Sequence, residues 1–267
     1  MRLGILLRNM GPQSLPATLR ACAMEAEAAG LADLWVVDHL AIAPDEAEGS
    51  GGRYLEALAT LAYLAGITTR IGLGVSVLIA PYRPPLVTAK WVASVQELAH
   101  GRLHLGVGVG WMATEFRALG VDRRRRGALT DELLALLHEC FAQDVVVQHG
   151  QPFVFAPRPA RPPLLLGGTA AHAFARIVRY GDGWMPMTGD PAALREPVQH
   201  LTQLMLAAGR PTPVVIPLTT LPLDDPPRAR DLLAELTALG ATGVMHTGRY
   251  ADADEFAAMS AQLQALR

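Results

Sequence analysis

The sequence predicts an α/β fold, a (β/α)8 TIM barrel. Short β-branched runs alternate with amphipathic stretches from one end to the other, the pattern of a parallel sheet with crossover helices. The length, 267 residues, suits one such barrel. The alternation amounts to eight βα units with no break in composition, which favours a closed barrel over an open doubly wound sheet.

The elements follow in order. Leu3–Leu7 reads as the first strand, and a helix over Pro16–Ala29 is stopped by Gly30. Leu34–Val37 is the second strand, followed by a polar, Gly-rich loop to Arg53 and a helix over Tyr54–Ala65. Ile71–Leu78 is the third, and Ala80–Pro85 turns into a helix over Leu86–Ala99 that ends at Gly101. Leu103–Val109 is the fourth, with a long loop to Gly127 before a helix over Leu129–Ala142. Val145–Gln148 and Phe153–Phe155, joined through His149-Gly150, read as a small β-hairpin inserted near residues 145–155 of a single domain. Strands over Leu164–Leu166, Gly183–Pro186, Val214–Leu218 and Gly243–His246 complete the set. Their helices cover Ala170–Tyr180, Pro191–Ala208, Pro227–Leu239 and Asp252–Leu266.

Composition narrows the function. A net charge of -2 gives no electrostatic case for nucleic acid or an anionic membrane. The one dense basic cluster, Arg123–Arg126, is short. Cys22 and Cys140 both fall in helices and read as reduced, buried thiols. Leu3–Leu7 is too short for a signal peptide, and no apolar run approaches a bilayer span, so a soluble, cytoplasmic protein is expected. No metal-ligand spacing, GxSxG, Walker A or CxxC motif is present, which shifts weight toward cofactor chemistry.

Barrel enzymes work at the C-terminal ends of their strands. That rule selects Arg8 and Asn9, Asp38 and His39, Ser76 to Pro81, Gly108 to Glu115, Gly167 to Thr169, Trp184 to Met187, Thr219 and His246. An acid and an imidazole together, as in Asp38-His39, can handle protons or merely end a strand. Gly72, Gly74, Gly106, Gly108 and Gly110 signal either tight packing or the approach of a ligand. Gly167-Gly168-Thr169, between a strand and a helix, can cradle a phosphate on backbone N–H groups or form a plain turn. Asn9, Tyr82, Trp184 and His246, with Met10, Trp111 and Met187, are expected to line a mixed aromatic and thioether pocket for an apolar or aromatic small molecule.

Three stretches carry a resemblance: ADLWVVDHLA (Ala32–Ala41), the segment TTRIGLGVSVLIAPYRPPLVTAKWVASVQELAHGRLHLGVGVGWMATEFRALGV (Thr68–Val121), and PPLLLGGTAAHAFARIVRYGDGWMPM (Pro162–Met187). Their order and spacing resemble the luciferase-like monooxygenase superfamily, within it the single-domain F420-dependent oxidoreductases. The last third matches only in architecture. The resemblance implies a flavin or deazaflavin ring beside Asp38 and His39. His39 would exchange a proton, and Asp38 would position it or touch the cofactor. It implies a non-proline cis peptide at Ser76-Val77, with Val77 behind the ring, and a ring edge along Gly108, Gly110 and Trp111. The tail phosphate would lie on Leu166, Gly167, Gly168 and Thr169, with Arg126 near an anionic tail. Glu115-Phe116 match a common pair, with Glu115 either catalytic or holding its loop. Trp111 stands where some sugar-phosphate dehydrogenases of the superfamily carry a catalytic Glu, which argues against their substrate. A homodimer is also implied.

The function expected from this is hydride transfer between F420 and a small organic substrate. An FMN-dependent monooxygenase on the same fold is the alternative. A non-catalytic flavin-binding barrel and a cofactor-free phosphosugar enzyme are weaker ones.

Overall fold

The computed structural model describes residues 1–267. The short apolar runs form strands β1 (Arg2–Leu6), β2 (Asp33–Val36), β3 (Gly72–Ile79) and β4 (Leu103–Gly108). After β5 (Val145–Gln148) and β6 (Gln151–Val154) come β7 (Leu164–Gly167), β8 (Gly183–Met185), β9 (Val214–Val215), β10 (Leu218–Thr219) and β11 (Gly243–His246). The helices are α1 (Pro16–Ala28), α2 (Ala57–Ile67), α3 (Pro85–Leu98), α4 (Ala113–Ala118), α5 (Arg126–Ala142), α6 (Ala170–Tyr180), α7 (Pro191–Ala207), α8 (Pro226–Ala238) and α9 (Ala253–Gln264).

The main sheet runs β10-β11-β1-β2-β3-β4-β7-β8-β9, all parallel. It closes because β9 and β10 are two halves of one strand. β9 pairs with β8, and β10 pairs with β11. Between them the Thr242 amide donates to Val215 and the Met245 amide to Pro217. The sequence predicts one unbroken strand over Val214–Leu218. Pro217 interrupts it, since proline has no N–H to give the ladder. β5 and β6 form a separate antiparallel hairpin between α5 and β7. The long loop after β4 holds the short helix α4, too brief to register in sequence periodicity.

The lumen is packed, as expected of a small barrel. Leu6, Trp35, Leu165, Met185, Ile216 and Met245 fill it. Trp35 fits only because its neighbours lack side chains: a Cβ on Gly4 would stand 2.6 Å from its Nε1, and one on Gly74 2.3 Å from its Cε3. A larger cluster of 58 buried residues lies between the sheet and the helices. At the N-terminal end of the barrel, buried Asp33 takes Arg2 at 2.6 Å and His104 at 3.2 Å. No helix is long and apolar enough to cross a membrane.

Candidate active site

The chain past β2 carries His39 to the C-terminal mouth of the barrel, where its side chain keeps 20% exposure. Its Nδ1 lies 3.0 Å from Glu115 Oε2, and its ring packs edge-on against Tyr54 with centroids 5.0 Å apart. Glu115 comes from α4 and is fully buried. It also accepts from the Ala41 amide (3.0 Å), the Leu40 amide and the Tyr82 hydroxyl (2.9 Å). Burial alone would raise its pKa; the hydrogen bonds from His39, Ala41, Leu40 and Tyr82 outweigh that and bring it down to about 2. Glu115 is therefore a carboxylate at neutral pH, with no proton to give. His39 must carry its proton on Nδ1, which leaves the Nε2 lone pair as the base of the neutral ring.

Asp38 does not take part in this pair. Its two oxygens receive a bidentate Arg83 at 2.6 and 2.8 Å, and Oδ2 also accepts the Ile79 amide at 2.8 Å. Arg83 reaches on to Glu56, which caps the start of α2. The sequence reading of Asp38 as the residue that positions His39 is thus corrected. Asp38 ties the ends of β2 and β3 together, and the carboxylate on His39 belongs to Glu115.

β3 bulges toward the mouth. Its register against β4 slips between Val75 and Leu78, and the Ser76–Val77 peptide is cis. Val77 rests in a notch of glycines. A Cβ on Gly108 would meet Val77 Cγ2 at 2.4 Å, and Cβ atoms on Gly106 and Gly167 would each come within 3.1 Å of its Cγ1. Gly110 has a different task. Its φ is +76°, its carbonyl accepts from Arg126 at 2.9 Å, and a Cβ there would strike Ile79 at 2.7 Å. Arg126 thereby steadies the loop with one of its donors.

At the end of β7 the chain passes Gly167, Gly168 and Thr169 into α6. Gly168 has φ +110° and open space around it. The amides of Gly168, Thr169, Ala170 and Ala171 donate to nothing in the chain. The Thr169 hydroxyl lies 3.1 Å from His172 Nδ1. Leu166, beside them, buries its side chain in the core, so only its backbone faces this turn.

The four residues expected to line a substrate pocket are all buried, and each has at least one polar atom bonded within the chain. Asn9 is fully buried, exchanging two hydrogen bonds with the Val37 backbone and giving one to the Leu55 carbonyl. Tyr82 is buried under Glu115 and packs edge-on to Phe116. Trp184 gives its N–H to the Gly168 carbonyl at 2.9 Å. His246 accepts the Leu221 amide on Nδ1 at 3.1 Å, and burial lowers its pKa to about 4, so it stays neutral. The apolar side chains that do stand open past the strand ends are Leu40, Trp111 (64% exposed) and Met187 (77%).

The family model for luciferase-like monooxygenases matches residues 1–266. The chain belongs to this family. Among its relatives, the uncharacterized protein Rv0953c of Mycobacterium tuberculosis is 29% identical, over 99% of this chain and 98% of its own length. The F420-dependent glucose-6-phosphate dehydrogenase of Kineococcus radiotolerans is 31% identical over 66% of this chain and 54% of its own. Similar solved structures include monooxygenase RslO1 of Streptomyces bottropensis, with TM-score 0.83, 18% identity, and coverage of 99% of this chain and 98% of that one. An F420-dependent secondary alcohol dehydrogenase with an F420-acetone adduct gives TM-score 0.80 and 15% identity over 100% and 99%. The oxygenating component of 3,6-diketocamphane monooxygenase from Pseudomonas putida, in complex with FMN, gives 0.77 and 13% over 99% and 96%.

Membership in the luciferase-like family supports an oxidoreductase on a barrel scaffold. Within that frame, sequence reasoning missed Arg83, which holds Asp38, and gave Tyr82 a substrate role where its hydroxyl supports Glu115. Two signals pointed to Glu115, its place past the end of the fourth strand and the Glu115-Phe116 pair, and both left its role open.

Proposed function

We propose that this protein transfers a hydride between coenzyme F420 and a small organic substrate, with His39 exchanging the accompanying proton. The observation that carries the reading is the His39–Glu115 pair at the barrel mouth. The residues present fit the cofactor on two counts. The four unbonded amides at the start of α6 suit a phosphate, which the helix dipole also favours. The bulge at Val77, seated on glycines, offers an apolar shelf for a flat ring.

Bound F420 supplies the hydride exchange. The chain supplies the rest. Gly168, Thr169, Ala170 and Ala171 would hold the tail phosphate. His39 Nε2 would take the proton of a substrate hydroxyl, or return it to a carbonyl oxygen. Glu115 stabilises the imidazolium that results and keeps Nε2 turned from itself. A second copy fits the same reading, because α3 and the hairpin expose Val87, Trp91, Val145, Val147 and Val154 on the outside.

Likeness to the FMN-bound diketocamphane enzyme favours one other reading, reduced FMN with dioxygen on this barrel. Absorbance titrations separate them. Tight F420 binding without FMN binding is expected, and the reverse result rejects the proposal. His39→Ala should still bind F420 and lose about 10²–10⁴-fold in kcat. Unchanged turnover would remove His39 from the mechanism.

A further inference from the structure

β1 and β7 are four strands apart in a ring of eight, so they face each other across the mouth. Opposite the amide turn at β7, a cleft of about 390 Å³ opens beside β1 and β11. Arg8, two residues past β1, and Arg249, three past β11, both line it, together with Gln13, Tyr250 and Glu255. Neither guanidinium is paired with a carboxylate.

Two atoms of its lining side chains are shielded from solvent and without partners, the Arg8 Nε donor and the Gln13 Oε1 acceptor. Gln13 is oriented by its Nε2, which donates to the Ala251 carbonyl at 3.2 Å, so Oε1 is the end left over. A buried cationic N–H lacking an acceptor is costly, and so is a buried carbonyl lacking a donor. Both side chains are half-buried, so a ligand that draws them toward the cleft relieves both atoms by accepting at one point and donating at another. Glu255, the one acid on the cleft, already has an oxygen on the Ala251 amide at 2.8 Å.

We propose that this cleft binds the charged end of the substrate, an organic acid bearing a hydroxyl next to its anionic group. The anion takes Arg8 and Arg249, whose forked donors suit carboxylate or phosphate oxygens. The hydroxyl donates to Gln13. This rests on the reading of the mouth as a cofactor site only for its assignment to substrate: with the tail phosphate at β7, the β1–β11 side is left for the molecule that reacts.

The test uses glycolate, acetate and inorganic phosphate as probes, read by the NMR resonance of Arg8 Nε–H in the full-length protein. That proton reports this cleft and not the turn at α6. Glycolate and phosphate are expected to shift it saturably, and acetate, which has no hydroxyl, to bind more weakly. Gln13→Leu should erase the glycolate–acetate difference. Arg249→Gln, at an exposed position, should weaken glycolate by about tenfold. F420 titrations of Arg8→Gln and Arg249→Gln should match the unaltered protein. An Arg8 resonance that stays flat with all three probes overturns the proposal. So does a tenfold loss of F420 affinity in Arg8→Gln, which would give the cleft to the cofactor. A saturable shift in a protein that does not bind F420 would leave the cleft standing and reject the proposed function instead.

Discussion

Glu115 holds His39 through a 3.0 Å contact across 76 residues of chain, and it does so from a site with no solvent exposure. Four donors converge on this one carboxylate from two segments, the loop after β2 and the turn after β3, while the carboxylate itself comes from α4 after β4. The arrangement fixes the imidazole's tautomer and at the same time staples three βα-loops together. Chemistry and loop order at the mouth therefore depend on the same group.

Tyr82→Phe tests that dependence with one atom. The lost hydroxyl is a hydrogen bond to a charged acceptor, so a loss of about 1.5–3 kcal/mol in urea unfolding is expected. If Tyr82 lined a substrate pocket, KM would change and stability would not. The opposite pattern is expected here.

Arg83→Leu should cost about 3–5 kcal/mol, because it leaves the buried Asp38 carboxyl without its partner. Adding Asp38→Asn should recover part of that loss, since the amide needs no counterion and its oxygen can keep the Ile79 bond. A double variant as unstable as the sum of the two single ones would show that the pair is not coupled.

The barrel was legible because its signals are local. β1, β2, β4 and α6 need only a few residues of context, and sequence bounds and observed bounds differ there by two residues at most. The site was legible in position but not in partnership. Asn9, Trp184 and His246 do stand at strand ends, yet each turns inward to satisfy a backbone group that burial would otherwise leave unpaired. Nothing in a linear pattern says which side chain the backbone will recruit. Asp38 and Arg83, 45 residues apart, meet only once β2 and β3 lie side by side, so adjacency in sequence made His39 look like Asp38's partner.

The glycines of β4 show the same principle in packing. Gly108→Ala would place a methyl 2.4 Å from Val77 Cγ2, and valine has few rotamers with which to yield. A loss of about 1–3 kcal/mol is expected. Val77→Ala should make the Gly108→Ala change far milder, and a double-mutant cycle in urea measures this. Additive losses would mean that Val77 is not what excludes a side chain at residue 108.

His246 gives the protein an acid-sensitive window. Its folded pKa, lowered to about 4 by burial, lies below the ordinary value of 6.5, so the unfolded chain binds the proton more readily. The stability this contributes is complete above pH 6.5 and is lost as pH falls toward 4, on the order of 3 kcal/mol in all. Glu115, lowered from 4.5 to about 2, acts in a separate window, from pH 4.5 downward. Thermal unfolding followed from pH 7.5 to 4.5 therefore reads His246 with little interference from Glu115. In His246→Asn the side-chain oxygen can keep the Leu221 amide and nothing titrates, so the slope between pH 6.5 and 4.5 should flatten. A variant with the same slope as the unaltered protein would place the acid sensitivity elsewhere in the fold.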